Sequence, residues 1–390
     1  MKIIYCIAAT YNSGGMERVL ANKVNWLTRH AGVECIVVTS DQCGRKPFFE
    51  FDKRVRHIDL GINYEANNGR GFLNKLIGYP LRQWRHRRRL SALLRREKAD
   101  ITVSMFCNEA ALLPDIKDGS RKLLEVHFSR FKRLQYGRTG VWAIADRLRS
   151  RGDLRTARRY DRFVTLTRED MGYWPDVPGI EAIPNAVPFE APAAADLSQR
   201  KVLAVGRLSH QKGFDRLIDA WRDAVAANPG WTLEIVGSGE QHDELKRQIE
   251  ENGVADSVVM TSGCSDMPAK YREASILAMT SRYEGLPMAL IEGQACGLPI
   301  VAMDCKCGPR DVVTDGSDGF ITPQGDTATF ADRLSQLMSD ADLRVRMGAE
   351  ARRQAKRFDP DKIMTRWMEI FRELERYAGR DCGMPRPSET

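Results

Sequence analysis

Short apolar runs alternate with helical patterns along the first half of the chain. The apolar runs, many of them β-branched, cover residues 3–8, 33–39, 101–105, 123–126 and 162–166. Amphipathic helical patterns follow the first run, over residues 16–29, and the third run, from Asn108 onward. Short apolar runs bounded by polar turns are typical of buried strands. Their alternation with helices predicts βαβ units in a parallel, doubly wound sheet.

The same alternation starts again near residue 200. The strand runs of this second half cover residues 201–205, 232–236, 258–261, 276–279 and 300–303. The helical patterns cover residues 214–226, 241–252, 287–295, 327–337, 341–356 and 360–377. The repetition predicts two similar α/β domains.

A stretch of proline, alanine and other small residues separates the two halves and is typical of a linker. We predict an N-terminal domain over residues 1–190, a linker over 191–199 and a C-terminal domain over 200–359. The helix over residues 360–378 is expected to pack back on the N-terminal domain. Residues 379–390 are expected to form a flexible tail.

Composition and length agree with a globular protein of two domains. The chain has 390 residues, of which 43% are hydrophobic and 29% charged. It contains no apolar run of about 18 residues, so we predict no membrane-spanning helix. The apolar opening leads into a turn and a helix, which is not the pattern of a secretory signal. Nine scattered cysteines predict reduced thiols and a cytoplasmic location. Cys305-Lys306-Cys307 has no matching second pair for a zinc site and is interpreted as structural.

Charge is divided unequally between the halves. Residues 1–190 carry 34 Lys and Arg against 21 Asp and Glu, a net charge of +13, and the remainder carries 26 against 31, a net charge of −5. The cationic half is expected to face an anionic partner, either nucleic acid or anionic lipid.

The densest basic run lies on a predicted amphipathic helix, in which leucines recur at near-helical spacing from Leu81 to Leu94. A solvated helix face is the alternative interpretation. Membrane contact is favoured over nucleic acid because tryptophan beside arginine suits a lipid interface and no nucleic-acid-binding motif accompanies the run. The predicted membrane or acceptor surface consists of Arg82, Trp84, Arg85, Arg88 and Arg89.

Candidate chemistry lies in loops that follow predicted strands, since ligands bind at the carboxyl ends of strands in open parallel sheets. In one loop, Gly206 and Gly213 enclose Arg207 and Lys212, two cations that suit a diphosphate. Taken alone, these cations could equally be solvated. Gly237, after the next strand, lies in a glycine turn that lacks the full dinucleotide-binding fingerprint.

The loop over residues 281–297 carries two glutamates. Pro287 is predicted at the first helical position, which leaves the N–H groups of Met288 and Ala289 free for an anion. A bound diphosphate would repel Glu284 and Glu292, so they are expected to accept hydrogen bonds from sugar or ribose hydroxyl groups.

These motifs together resemble a known enzyme family. The spacing S-x-x-E-G-x-P-x-x-x-x-E, the upstream G-R-L-x-x-x-K-G and the Gly14-Gly15 loop after the first strand resemble retaining glycosyltransferase family 4. The resemblance covers most of the second half and, more weakly, the first. It implies the α/β GT-B fold, with two Rossmann-like, doubly wound parallel-sheet domains facing a cleft. The N-terminal domain would bind the acceptor and the C-terminal domain the nucleotide sugar.

The resemblance also implies roles for individual residues. Arg207 and Lys212 would bind the donor diphosphate, Glu284 would contact the transferred sugar and Glu292 would hold the ribose. His127 would lie near the sugar as a fourth catalytic residue, although a lone histidine after a strand is more often structural. The rest of the implied donor site consists of Gly14, Gly15, Gly206, Gly237, Gly285, Leu286 and Met288.

The expected function is retaining transfer of a hexose from a nucleotide-diphosphate sugar to a glycan or lipid-linked glycan in polysaccharide, capsule or lipopolysaccharide biosynthesis. UDP is the expected nucleotide and GDP the alternative. Arg207, Lys212 and the helix start would neutralise the leaving group without a metal or cofactor. Asp340-Ala341-Asp342 is interpreted as helix capping rather than as a metal site. The alternative functions are an inactive nucleotide-sugar-binding partner subunit and, less favoured, a glycosidase.

Overall fold

The computed structural model describes residues 1–64, 72–132, 134, 139–189, 193–263 and 266–378. The chain forms two compact units. Unit 1 contains Met1–Leu166, Met171–Ile183 and the C-terminal helix, and unit 2 contains Thr167–Asp170 and Pro184–Pro360. The predicted linker is described only from residue 193, where it has neither helix nor strand. The predicted tail over 379–390 lies outside the described residues.

The sheet of unit 1 has seven parallel strands in the order β3-β2-β1-β4-β5-β6-β7. The strands are β1 (Lys2–Ile7), β2 (Glu34–Thr39), β3 (Arg56–Asp59), β4 (Ile101–Ser104), β5 (Arg121–Glu125), β6 (Arg162–Thr165) and β7 (Ile180–Ala182). Ile4 of β1 lies opposite Ile36 on one side and Thr102 on the other. Because the order reverses between β1 and β4, the loops after these strands open a crevice at the carboxyl edge of the sheet.

Two of the helices before residue 190 cover the same face of this sheet. The helices among the described residues of this stretch are α1 (Gly15–His30), α2 (Phe72–Glu97), α3 (Val141–Ala157) and α4 (Arg168–Gly172). Leu90 and Leu94 of α2 share one buried apolar cluster with Ala157 of α3 and with Ile4 of β1. Thus α2 and α3 pack on the same side of the sheet.

The helix predicted from Asn108 onward does not form. A turn leads into a short 3₁₀ helix over Leu113–Asp115. Pro114 can occupy only the first turn of a helix, and the buried Glu109 carboxyl accepts a hydrogen bond from Ser104 Oγ at 2.6 Å. Burial raises the pKa of Glu109 to about 7. This local hydrogen bonding replaces the helix that the apolar spacing predicted.

Unit 2 repeats the architecture with six parallel strands in the order β10-β9-β8-β11-β12-β13. The strands are β8 (Lys201–Val205), β9 (Thr232–Val236), β10 (Val258–Thr261), β11 (Ile276–Met279), β12 (Ile300–Met303) and β13 (Gly319–Thr322). The helices are α5 (Phe214–Ala227), α6 (His242–Glu251), α7 (Met267–Arg272), α8 (Met288–Ala295), α9 (Pro309–Val312), α10 (Thr327–Ser339) and α11 (Ala341–Ala355). The two parallel-sheet halves confirm the predicted GT-B class of fold.

The last helix, α12 (Pro360–Ala378), belongs to unit 1 although it follows unit 2 in the chain. Its apolar face buries Trp367, Ile370 and Phe371. At its start, Trp26 of α1 donates a hydrogen bond to Asp361 at 2.8 Å, and further along Arg366 donates to the Glu181 carboxylate at 2.7 Å. Unit 1 is therefore assembled from the two ends of the chain.

Candidate functional site

Two glycine loops lie in direct backbone contact at the carboxyl edge of the unit 2 sheet. Gly206 N–H donates to Val236 O and Leu208 N–H to Ser238 O, both at 3.0 Å. A Cβ atom on Gly237 would lie 1.8 Å from Gly206 O. Glycine is therefore required at position 237 for the approach of the two loops, a role that the sequence did not predict.

The structure brings Lys212 and Glu284 together. Lys212 Nζ lies 2.7 Å from Glu284 Oε1, and Ser281 Oγ donates to the same oxygen at 2.7 Å. The Glu284 carboxylate is almost fully buried, whereas Lys212 stays partly accessible. A lysine held this way offers a positive charge whose position is set by the protein.

Arg207, five residues before Lys212, is solvent-exposed. Among the residues that the structure describes, its guanidinium group has no ion-pair or hydrogen-bond partner. A guanidinium group presents several N–H donors in a fork that matches phosphate oxygens. Arg207 is thus a cation that a phosphate ligand could bind without first displacing a carboxylate.

Further contacts fix the two loops that carry these groups. Arg282 donates to both carboxylate oxygens of Asp215, at 2.8 and 2.5 Å. Gln211 Nε2 donates to Tyr283 O at 3.1 Å, and Gln324 Nε2 to Arg282 O at the same distance. Gln211 and Asp215 flank Lys212, and Arg282 and Tyr283 directly precede Glu284, so these contacts hold the loop of Lys212 against the loop of Glu284. Sequence reasoning missed their role because the partners are distant in the chain.

The helix after this loop begins one residue later than predicted. Pro287 is the N-cap residue in an extended conformation, and Met288 is the first residue of α8. The N–H of Leu290 is taken up by Pro287 O at 3.0 Å. The first N–H groups of a helix lack intrahelical partners, so an anion bound at Met288 and Ala289 stays a prediction that this helix start can accommodate.

Glu292 lies inside α8 and is buried. Tyr271 of α7 donates its hydroxyl proton to Glu292 Oε2 at 2.8 Å. This contact fixes the carboxylate that is expected to meet the ribose. No local motif marks Tyr271 in the sequence.

In unit 1, the glycine loop after β1 leads directly into α1. Gly14 is the N-cap residue, and Gly15 is the first residue of the helix. A Cβ atom on Gly14 would lie 2.3 Å from Glu17 Oε2. Because neither glycine has a side chain, a ligand could contact the backbone of this loop at the carboxyl edge of the sheet.

His127 follows β5 and lies against a buried carboxylate. Its Nε2 is 3.0 Å from Glu125 Oε1, and Lys23 Nζ of α1 contacts the same oxygen. Burial alone would raise the pKa of Glu125, but the charges of Lys23 and His127 outweigh it and lower that pKa to about 2. Sequence reasoning found His127 and missed the other two residues, although a lysine on the apolar face of α1 was a visible signal.

The predicted basic surface on α2 divides into two sets. Trp84 is 58% exposed, with the Arg88 guanidinium 5.6 Å from its ring centre, and Arg85 is also exposed. Arg89 instead donates to the carbonyl oxygens of Leu60 and Gly61, and Arg82 is partly buried. Arg89 is nevertheless exposed, so the solvent-facing part of the prediction consists of Trp84, Arg85, Arg88 and Arg89, of which Arg89 is tied to the backbone of residues 60 and 61.

Helix α3 carries a second exposed apolar face that sequence reasoning missed. Ile144 and Leu148, one turn apart, are 57% and 59% exposed. Arg147 and Arg151 beside them are exposed too. Asp146, by contrast, is buried. In the sequence, this exposed face was indicated by two aliphatic residues spaced one helical turn apart among arginines.

The capping interpretation of the Asp-x-Asp sequence is confirmed. Asp340 is the N-cap residue of α11, and its carboxylate accepts the Leu343 N–H at 2.8 Å. In the part of the chain that the structure describes, no group of three His, Cys, Asp or Glu side chains could hold a metal ion. None of the described helices combines the length and apolar composition needed to cross a bilayer.

Two family models match consecutive parts of the chain. The model described as Glycosyltransferase Family 4 matches residues 13–191, and the model described as Glycosyl transferases group 1 matches residues 189–354. Together they cover both sets of loops described above.

In sequence, the chain is similar to the amylovoran biosynthesis glycosyltransferase AmsD of Erwinia amylovora. The two are 34% identical over 54% of this chain and 62% of AmsD, so the chain spans less than two thirds of that relative. An uncharacterized glycosyltransferase of Haemophilus influenzae is 28% identical over 95% of this chain and 99% of its own length. The lipopolysaccharide core biosynthesis glycosyltransferase LpsE of Rhizobium meliloti is 26% identical over 86% and 88% of the two chains.

Solved structures share the fold at low sequence identity. A complex of S. aureus TarM with fondaparinux, α-GlcNAc-glycerol and UDP has a TM-score of 0.76 at 16% identity, covering 95% of this chain and 99% of TarM. Anabaena HepE in complex with UDP-glucose has a TM-score of 0.71 at 18% identity, covering 96% of this chain and 100% of HepE.

Proposed function

Because the chain is a glycosyltransferase of the family 4 type with the GT-B fold, we propose that it transfers a hexose from a UDP-sugar to a glycan or lipid-linked glycan. The proposed transfer retains the anomeric configuration and needs neither a metal nor a cofactor. The observation that carries the proposal is the Lys212–Glu284 pair beside the exposed Arg207 and the start of α8.

The proposed chemistry follows from the charge that develops when the sugar–phosphate bond breaks. Negative charge grows on the leaving phosphate oxygen, and preorganised cations and dipoles stabilise it most effectively. Arg207, Lys212 and the N–H groups at the start of α8 would supply these. Glu284 would orient Lys212 and accept a hydrogen bond from a sugar hydroxyl, while Glu292 would accept hydrogen bonds from the ribose.

UDP is the proposed nucleotide because two structures of the same fold, TarM and HepE, contain UDP or UDP-glucose. The acceptor class is proposed from the relatives AmsD and LpsE, whose names place them in amylovoran and lipopolysaccharide core biosynthesis. The positive charge of the first half of the chain suits an acceptor with phosphate or other anionic groups.

Thermal unfolding with a panel of nucleotides tests the donor site. We expect UDP and UDP-hexoses to stabilise the protein by about 2.7 kcal/mol at 100 times their dissociation constant, with the same shift in EDTA. Stabilisation by GDP but not by UDP would change the proposed nucleotide to GDP and leave the proposed phosphate site unchanged. Stabilisation that EDTA abolishes and manganese restores would overturn the metal-independent mechanism. Binding with no nucleotide release under any acceptor would favour the inactive partner subunit.

We further propose that unit 1 docks on the anionic inner face of the cell membrane, where a lipid-linked acceptor would be available. The docking surface consists of Trp84, Arg85 and Arg88 of α2 with Ile144 and Leu148 of α3. Both helices cover the same face of the sheet, and the one acidic residue of α2, Glu97, is buried. Exposed apolar side chains among arginines are typical of helices that lie in a lipid interface.

Vesicle co-sedimentation tests this docking surface. Binding to vesicles with phosphatidylglycerol should exceed binding to neutral vesicles and should fall with added salt. Arg85→Ala and Arg88→Ala should each weaken binding to anionic vesicles by about 1 kcal/mol. Adding Ile144→Ser and Leu148→Ser should weaken this binding further. Val345→Ser, which alters an equally exposed apolar residue of unit 2, is the matched control. Equal binding to neutral and anionic vesicles would contradict the proposal.

A further inference from the structure

Three elements of unit 1 meet around one buried carboxylate. Glu125 stands at the end of β5, Lys23 reaches it from α1, and Trp367 of α12 lies over Lys23. The Lys23 ammonium is 3.5 Å from the centre of the indole ring. Glu125 is fully buried and Lys23 nearly so. The C-terminal helix thus closes a charged site that the first 125 residues build.

Two basic groups converge on the same oxygen of this carboxylate. Lys23 Nζ and His127 Nε2 both contact Glu125 Oε1, His127 at 3.0 Å. His127 Nε2 lies within ion-pair distance of this oxygen, so the carboxylate acts electrostatically on that ring nitrogen. Buried ionised groups persist where an opposite charge compensates them, and Lys23 supplies that charge. Glu125 can therefore stay ionised beside the imidazole.

An ionised carboxylate beside one ring nitrogen selects the tautomer of a neutral histidine. It attracts the N–H and repels a lone pair, so it favours the proton on Nε2. The other nitrogen, Nδ1, then carries a lone pair and can accept a hydrogen bond from a ligand hydroxyl. A histidine orientated by a carboxylate is a frequent device for fixing which nitrogen meets the ligand.

We propose that Glu125 is a positioning residue that holds His127 with its proton on Nε2, and that Lys23 and Trp367 maintain Glu125 in this role. His127 would then present Nδ1 as an acceptor to a hydroxyl group of a bound substrate. The second statement rests on the proposed function, whereas the tautomer and its dependence on Glu125 do not.

Nitrogen-15 NMR of the histidine rings tests the tautomer directly. The chain has six histidines, and the signals of His127 are identified by their loss in His127→Gln. At a pH where the ring is neutral, we expect the proton on Nε2 in the wild-type protein. The double variant Lys23→Met with Glu125→Leu replaces the buried ion pair by apolar side chains and should release the preference. A proton on Nδ1, or an unchanged tautomer in the double variant, would overturn the proposal.

Two variants of α12 test the part played by the C-terminal helix. Trp367→Leu removes the ring over Lys23. Phe371→Leu removes a neighbouring buried ring, 5.5 Å from that of Trp367, and among the described residues Lys23 forms its cation–π contact with Trp367 and not with Phe371. We expect only Trp367→Leu to change the His127 signals. Equal changes in both variants would show a general packing effect and would remove Trp367 from the proposal.

Kinetics separates this inference from the proposed function. The double variant should lower kcat for donor turnover by roughly 10- to 100-fold with the donor KM unchanged. Adding His127→Gln to it should cause no further loss, since both changes act on one group. An additional loss equal to that of His127→Gln alone would contradict positioning. If the wild-type protein turns over no nucleotide sugar, the proposed function fails while the NMR result still decides the tautomer.

Discussion

Replacing Arg207 by alanine is expected to lower the rate of sugar transfer by about 10²- to 10³-fold, the usual loss when one preorganised donor to a developing anion is removed. The same variant should lose most of the thermal stabilisation by UDP. Its stability without ligand should stay within about 0.5 kcal/mol of the wild-type value, because Arg207 is exposed and has no partner among the described residues. Steady-state kinetics and thermal unfolding with UDP measure these effects.

Arg346→Ala is the control for this experiment. Arg346 is an exposed arginine of unit 2 on α11, so its loss changes the net charge equally without touching the glycine loops. Undiminished UDP stabilisation in Arg207→Ala would show that the phosphate site lies elsewhere. A comparable loss of UDP stabilisation in Arg346→Ala would show that the effect of Arg207→Ala comes from the change in overall charge.

A methyl group on Gly237 should have the largest effect on folding. Gly237→Ala would place Cβ 1.8 Å from Gly206 O, a backbone atom that no side-chain rotation can move. Overpacking of this kind costs at least about 2 kcal/mol, which in a unit of this size lowers the unfolding temperature by about 4–8 °C. The displaced loop also carries Arg207, so UDP binding should fall together with stability.

Gly263→Ala provides the comparison for a glycine in open space. A Cβ atom on Gly263 has no neighbour within 4 Å among the described atoms. This variant should keep both the unfolding temperature and UDP binding. If Gly237→Ala behaved in the same way, the close approach of the two glycine loops would be refuted.

The fold and site of unit 2 could be read largely from the sequence. Strands β8 to β12 have the predicted bounds, because each is a short apolar run between clear turns. Lys212 and Glu284 lie together as their strand-end positions implied, since parallel strands bring such loops to one edge. Local pattern and topology were sufficient for these five strands, whereas β13 and the short helices α7 and α9 were not predicted.

Unit 1 was harder because its elements carry weaker local signals. Strand β3 reads Arg-His-Ile-Asp and lies at the sheet edge, where one apolar residue suffices. Helix α3 exposes apolar residues and so lacks a clean amphipathic pattern. The Glu125 site was not predicted because Lys23 and Trp367 are remote from it in the chain and only tertiary packing brings them together. The buried lysine on the apolar face of α1 was a local signal for it.

Unit 1 is built from segments before and after unit 2 in the chain, and this affects both its folding during translation and its study as a fragment. On the ribosome, the segment that supplies Trp367 and Phe371 emerges only after unit 2, so unit 1 cannot be completed before unit 2 has been translated. Until then, the apolar groove that these rings fill remains open to solvent and to other nascent chains. A fragment ending at residue 190 would keep that groove open permanently, and a study of the first domain in isolation would need the final helix supplied as a peptide or fused in place.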